Sequence, residues 1–200
     1  KSAGQRNARA QCNLGECYYY GRGVSENKQE AVKWYRKAAG QGLARAQYLF
    51  GFSYYRGQGI LKDYQEAVKW YRKAAEQGNA EAQYKLGNCY YFGHGVSENK
   101  QEAVKWYRQS ADQGNAEAQY DLGQCYYWGQ GVSRDYQEAV KWYLNAAHRG
   151  KARAMRDIGF CYATGRGVPK DYQEARKWNH KAKVLDLKTY EEFTFETTEE

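Results

Sequence analysis

No stretch of this 200-residue sequence approaches the ~18 consecutive apolar residues of a membrane-spanning helix, and no signal-peptide pattern precedes its first regular segment. The sequence opens at Lys1 rather than Met, as expected of an excised or processed piece, so the missing signal fixes no compartment. Histidine is scarce. His94, His148 and His180 fall at three unrelated positions, with no pair at i and i+4. There is no Cys-x-x-Cys, no Walker loop and no G-x-S-x-G, so no catalytic site, cofactor or metal is expected. Apolar content of 42% coexists with a mean hydropathy of −1.02, too polar for one thick central core.

What the sequence has instead is a repeat. Trp34, Trp70, Trp106, Trp142 and Trp178 stand 36 residues apart without insertion or deletion. They divide the chain into residues 7–42, 43–78, 79–114, 115–150 and 151–186. A solenoid reconciles such a repeat with the low hydropathy, because each unit buries surface only against its neighbours.

Within the first repeat, Ala10, Leu14, Cys17 and Tyr18 mark one face of a helix, here helix A, which Gly21-Arg22-Gly23 ends. Asn27 with Glu30 has the spacing of a capping box and starts helix B. The same device recurs as Asp63 with Glu66, Asn99 with Glu102, Asp135 with Glu138 and Asp171 with Glu174. Helix B is expected to bury Ala31, Trp34, Tyr35 and Ala38, with the Trp at the junction of helices and repeats, and to end at Gly42 and its equivalents. A glycine in mid helix A, as at Gly15, Gly51, Gly87, Gly123 and Gly159, implies close helix contact. In the fifth repeat Arg176, Asn179 and Lys183 replace apolar residues of helix B, as in a C-terminal cap.

Cys17, Cys89, Cys125 and Cys161 share one repeat position, where the second repeat has Ser53. Helices of successive repeats lie ~8–10 Å apart, beyond the ~7 Å Cα limit of a disulfide, and Cys12 points to another face than Cys17. The five thiols are read as free and packed. Unpaired cysteines favour a cytoplasmic location, with a bacterial periplasmic or secreted one as the alternative.

Net charge is +8, but residues 185–200 carry six acids and one Lys, leaving 30 basic against 17 acidic residues elsewhere. The domain reading is a single solenoid over residues 1–187 followed by an acidic tail, 188–200, without repeat or helix signals. Tyr190, Phe193 and Phe195 in that tail make it a candidate docking segment or a disordered end. The N-terminal repeat lacks a cap, so self-association through it or through the tail is a further expectation.

The string A-E-A-Q-Y-K-L-G-N-C-Y-Y-F-G-H-G-V, followed by E-A-V-K-W-Y-R-Q-S-A-D-Q-G-N, resembles the Sel-one-like repeat, a relative of the tetratricopeptide repeat. The resemblance covers residues 7 to about 183. It implies an all-α fold, a right-handed superhelix of five helix-turn-helix repeats used as a scaffold or adaptor, with helix A on the concave side. One branch of the family carries two cysteines per repeat joined as disulfides, a pattern this chain lacks.

On helix A the stripe opposite Leu14 and Tyr18 runs through the repeat positions of Arg9, Asn13, Glu16 and Tyr20. There it places Leu49, Phe52, Phe92, Trp128 and Phe160, interleaved with Arg56, Lys85, Asn88, Asp121 and Gln124. Aromatics rimmed by polar groups are the composition of a protein-binding hot spot, while the same residues would also serve inter-repeat packing. The expected partner is a protein or peptide held in this groove. The alternative is RNA on the basic surface, although Lys69, Arg72 and Lys73 fall on helix B, away from the groove.

Overall fold

The computed structural model describes the backbone of residues 3–196 and the side chains of residues 7–187. Ten helices and no strand occur among the described residues. They are α1 (Ala3–Tyr20), α2 (Lys28–Gly40), α3 (Ala44–Arg56), α4 (Tyr64–Glu76), α5 (Ala80–Phe92), α6 (Lys100–Asp112), α7 (Ala116–Trp128), α8 (Tyr136–His148), α9 (Ala152–Thr164) and α10 (Tyr172–Glu196). Odd-numbered helices are the A helices of the repeats and even-numbered ones the B helices. The chain forms two compact units, Lys1–Ser110 and Ala111–Glu200. In the first, α1 packs on α2, α2 on α3, α3 on α4 and α4 on α5, while in the second α7 packs on α8, α8 on α9 and α9 on α10.

Each B helix starts where its N-cap side chain bonds the first turn. Asn27 Oδ1 accepts from the Glu30 N–H at 3.0 Å, and Asp135 Oδ1 from those of Gln137 and Glu138 at 2.9 and 3.0 Å. The reciprocal half of the expected capping box is not made. The N-cap N–H groups donate instead to the preceding A helix, Asn27 to the Tyr18 carbonyl and Asp135 to that of Tyr126. Glu30 and Glu138 turn outward to Lys33 and Lys141. The capping residue thus joins the helices of its repeat as well as starting one.

The A-to-B turn is built on two glycines with different duties. Gly93 (φ 70°) is the left-handed C-cap of α5, its N–H donating to the Cys89 carbonyl. Gly95 (φ 75°) lies against the start of α4, where a Cβ would stand 2.3 Å from the Tyr64 carbonyl oxygen. Only glycine lets the two backbones approach so closely. The Gly-x-Gly pattern is therefore explained by a left-handed C-cap at the first glycine and a close backbone approach at the second.

The expected burial of helix B needs one correction. Tyr35, Tyr71, Tyr107 and Tyr143 are its fully buried large side chains, whereas Trp34, Trp70, Trp106 and Trp178 are half-buried and Trp142 alone of the five is buried, as expected. Ala31, Tyr35 and Ala38 form the central line of the face, and a Trp one residue earlier is rotated about 100° to its edge. There Trp70 packs on Phe50 with ring centroids 5.0 Å apart. Lys37, Lys73 and Lys181 lie 4.2, 4.2 and 4.3 Å from the rings of Trp34, Trp70 and Trp178.

Buried glutamines on the A helices tie repeats together. Nε2 of Gln83 donates to the Ala75 carbonyl and Nε2 of Gln119 to that of Ala111, both at 3.1 Å, satisfying carbonyls in the last turn of the preceding B helix. A second link joins the A-helix tyrosine to the next turn, from the Tyr19 hydroxyl to Gln58 and between Tyr55 and His94 Nδ1. His94 also stacks on Tyr64, so its role here is structural.

None of the five cysteines forms a disulfide. Burial pushes the Cys12 and Cys161 thiols up to about 11 and that of Cys89 to about 12. Arg176, Asn179 and Lys183 are exposed on α10. That helix does not stop where the repeat pattern does: it continues to Glu196, correcting the expectation of a tail without helix. No Gly or Pro interrupts residues 172–196. The side chains of Tyr190, Phe193 and Phe195, and residues 197–200, lie outside the described residues.

Candidate interaction surface

Three repeat positions of the A helices make up the proposed face, and their side chains differ in how far packing claims them. In the first unit Tyr20 and Phe92 are 57% and 59% exposed, too open to serve as core. Tyr20 stands edge-on to Tyr19 beneath the Arg22 guanidinium, and Phe92 edge-on to Tyr91 beside His94. Leu49 and Phe52 are half-buried and complete the core clusters beneath them. Arg56 lies 5.8 Å from the Phe52 ring, and Lys85 5.2 Å from that of Tyr84. Asn88 is engaged from below, accepting a 2.7 Å hydrogen bond from the Tyr107 hydroxyl.

In the second unit the A-helix face encloses a pocket of ≈ 240 Å³ lined by Gln124, Tyr127, Trp128, Tyr143, Asp157, Phe160 and Arg166. Trp128 and Phe160 are 62% and 49% exposed, and Tyr127 meets Trp128 edge-on at 4.9 Å. Gln124 is the hub of its polar side. Its Oε1 accepts from Trp128 Nε1 at 2.9 Å, and its Nε2 donates to Asp157 Oδ2 at 2.8 Å and to the Tyr120 hydroxyl at 3.0 Å. Asp121 is half-buried on the same helix.

Burial raises the Asp157 pKa, opposed by hydrogen bonds from Tyr120 and Gln124 and by the charge of Arg156. Tyr120 is pushed up to about 12 by burial and then by the Asp157 charge. Arg166 donates to the Tyr127 hydroxyl, and its guanidinium carbon lies 5.5 Å from the Phe160 ring and 5.7 Å from that of Tyr127.

The structure thus gathers Gln124, Trp128 and Phe160 around one pocket and adds Tyr127, Tyr143, Asp157 and Arg166, which the sequence reading did not include. Tyr127 and Tyr143 sit at positions that hold Tyr in at least four repeats, where packing was the natural reading. Asp157 occupies the same repeat position as Leu49, Lys85 and Asp121, and that variability was its available signal. Among the described residues no group of acids, histidines and cysteines could hold a metal ion, and no helix is long and apolar enough to cross a membrane.

The Sel1 repeat profile matches residues 8–43, 44–79, 80–115, 116–151 and 152–183, one residue out of phase with the tryptophan-anchored division. No match was found among curated proteins. Among solved structures, a Sel1 repeat protein from Oxalobacter formigenes is 42% identical with a TM-score of 0.85, over 90% of this chain and 74% of that one. A protective antigen of uropathogenic Escherichia coli strains, displaying an SLR fold, is 36% identical with a TM-score of 0.87, over 90% of this chain and 38% of that one. Both relatives place the fold in the helical solenoid class. Sel1 repeat proteins are generally protein-interaction scaffolds and typically non-catalytic. With five consecutive profile matches, each spanning one A and one B helix, the chain belongs to the Sel1 repeat family.

Proposed function

We propose that this chain is a non-enzymatic scaffold that holds a segment of a partner protein on the A-helix faces of its two units. The observation that carries the reading is the exposure of Tyr20, Phe92 and Trp128 at one repeat position, with Phe160 beside Trp128, where packing demands no aromatic. The face has the make-up of an interface centre, large rings with hydrogen-bonding groups between them. Self-association through the N-terminal repeat or the C-terminal tail is a separate part of the proposal, read by the mass of the chain in solution.

Basic residues favour this reading over RNA. On the B helices Lys33, Lys69, Lys105, Lys141 and Lys177 each pair with a Glu three residues earlier, and Lys37, Lys73 and Lys181 lie over Trp rings. Cations with such neighbours are ordinary solvated helix faces. The test is capture from native lysate by the full chain and by Phe92→Ala and Trp128→Ala, with melting curves alongside. Defined proteins retained in salt and lost from folded variants support the scaffold. Retention that nuclease or moderate salt abolishes overturns it in favour of RNA.

A further inference from the structure

Asp157 is a half-buried carboxylate without a cation. Arg156, its neighbour on α9, is turned to Asp186 with Nη1 and Oδ2 2.6 Å apart, and no Lys or Arg nitrogen lies within 4.0 Å of Asp157 among the described residues. Its bonds come from neutral donors, Gln124 Nε2 and the Tyr120 hydroxyl. A charge partly removed from water with only neutral partners gains from any cation that reaches it.

The walls above that carboxylate suit a cation as well. Tyr127, Trp128, Tyr143 and Phe160 line the pocket, and aromatic faces attract ammonium and guanidinium groups. The rim already shows such a contact, with Arg166 lying over Tyr127, Tyr136 and Phe160. Arg166 is held there by Tyr127 and makes no ion pair with Asp157. The volume, ≈ 240 Å³, falls below the about 300–1,000 Å³ of small-molecule sites and fits one long side chain. The positive body of the chain does not oppose this at short range, because salt screens separated surface charges beyond ~8–10 Å.

We propose that this pocket receives a lysine or arginine side chain of the bound partner segment, its charged head on Asp157 and its methylene stem against Trp128 and Phe160. The proposal rests on the scaffold reading and names the chemistry of one anchor within it. Gln124 acts as a positioning residue, since it holds both the Trp128 indole and the Asp157 carboxylate. A segment with an acidic or purely apolar residue at this point would leave Asp157 uncompensated.

The experiment follows the indole N–H resonance of Trp128 in the full-length chain, assigned by its loss in Trp128→Phe. The probes are the Nα-acetyl methylamides of lysine, norleucine and glutamate. Lysine is expected to shift the resonance saturably and to bind about tenfold more tightly than norleucine, with glutamate weaker than either. Asp157→Asn is expected to bring lysine down to the norleucine level without lowering the melting temperature. Equal binding of lysine and norleucine, preference for glutamate, or no shift with any probe overturns the inference. The wild-type probe series decides even if Asp157→Asn folds poorly. If lysine fails while partner capture is still lost in Phe92→Ala and Trp128→Ala, the anchor is wrong and the scaffold stands; if capture ignores those variants, the scaffold itself falls.

Discussion

The ring of Tyr107 fills the space where a side chain on residue 87 would begin: a Cβ there would stand 2.6 Å from the ring carbon Cδ1. The same pairing joins Gly15 to Tyr35, Gly51 to Tyr71 and Gly123 to Tyr143. In the fifth repeat Gly159 faces the exposed amide of Asn179 instead. Gly87→Ala should therefore displace a buried ring, with overpacking that exceeds the helix-propensity gain of about 1 kcal/mol. A net loss of about 1–2 kcal/mol in denaturant melts is expected. Gly159→Ala should cost less, because Asn179 can swing aside; equal losses would refute the ring-filling account.

The tyrosine hydroxyls behind those rings are not equivalent. Tyr107 donates to Asn88, but Phe52 occupies that position in the second repeat, and the buried Tyr71 hydroxyl has no partner among the described residues. Tyr71→Phe should be neutral or stabilising, since it removes a desolvated and unpaired polar group. Tyr107→Phe should cost about 0.5–1.5 kcal/mol, the range of a typical hydrogen bond. Chemical denaturation of the two variants checks the ordering, and Phe52→Asn, which offers Tyr71 an acceptor, should reverse it in the second repeat.

Alkaline stability should report the buried thiols. Burial pushes Cys12, Cys89 and Cys161 up to about 11, 12 and 11 in the folded chain, from 9.0 for an exposed thiol. The folded state then holds protons that the unfolded chain has released, so stability is full below pH about 9 and falls as pH rises toward 11 or 12. Each thiol adds a slope of up to about 1.4 kcal/mol per pH unit. Cys89→Ser should flatten the decline and still fold, because Ser53 fills the same repeat position and bonds the Leu49 carbonyl at 2.9 Å. Melting curves from pH 8 to 11 that superimpose for the two proteins would contradict this.

Helix starts were legible in the sequence because an N-cap is local chemistry: Asn27 or Asp63 needs only its own first turn. The phase of helix B was legible to within one residue, since Ala31, Tyr35 and Ala38 are buried as expected and only the central place of the Trp is displaced. Trp34 and Tyr35 both lie within the apolar arc, and the choice between them is made by Gly15 on another helix. That signal was present, as a glycine and a tyrosine both recurring every 36 residues, but it couples positions 20 apart. The aromatics Trp128 and Phe160 stood out as variable and apolar. Asp157 did not, because an acid on a helix surface is ordinary until Arg156 is seen to pair elsewhere. Repeat periodicity ends near residue 187 while α10 continues to Glu196, because a helix needs no repeat, only a sequence without a breaker.

The division of labour in the capping sequence gives a last test. In Asn/Asp-x-x-Glu the Glu would ordinarily bond the N-cap N–H, but at Asp63 that N–H donates to the Tyr54 carbonyl at 3.0 Å, and Glu66 faces Lys69 at 2.5 Å on the surface. The Asp carries the cap alone, accepting from Gln65 at 2.9 Å and Glu66 at 3.0 Å. Asp63→Ala should cost about 1 kcal/mol, as loss of an N-cap does. Glu66→Ala should cost no more than about 0.5 kcal/mol, the scale of an exposed pair one turn apart. High salt separates the two further, because it screens the pair and spares the cap. Asp63→Ala and Glu66→Ala destabilised equally, with both losses erased by salt, would mean that helix B is begun by charge rather than by the capping hydrogen bonds.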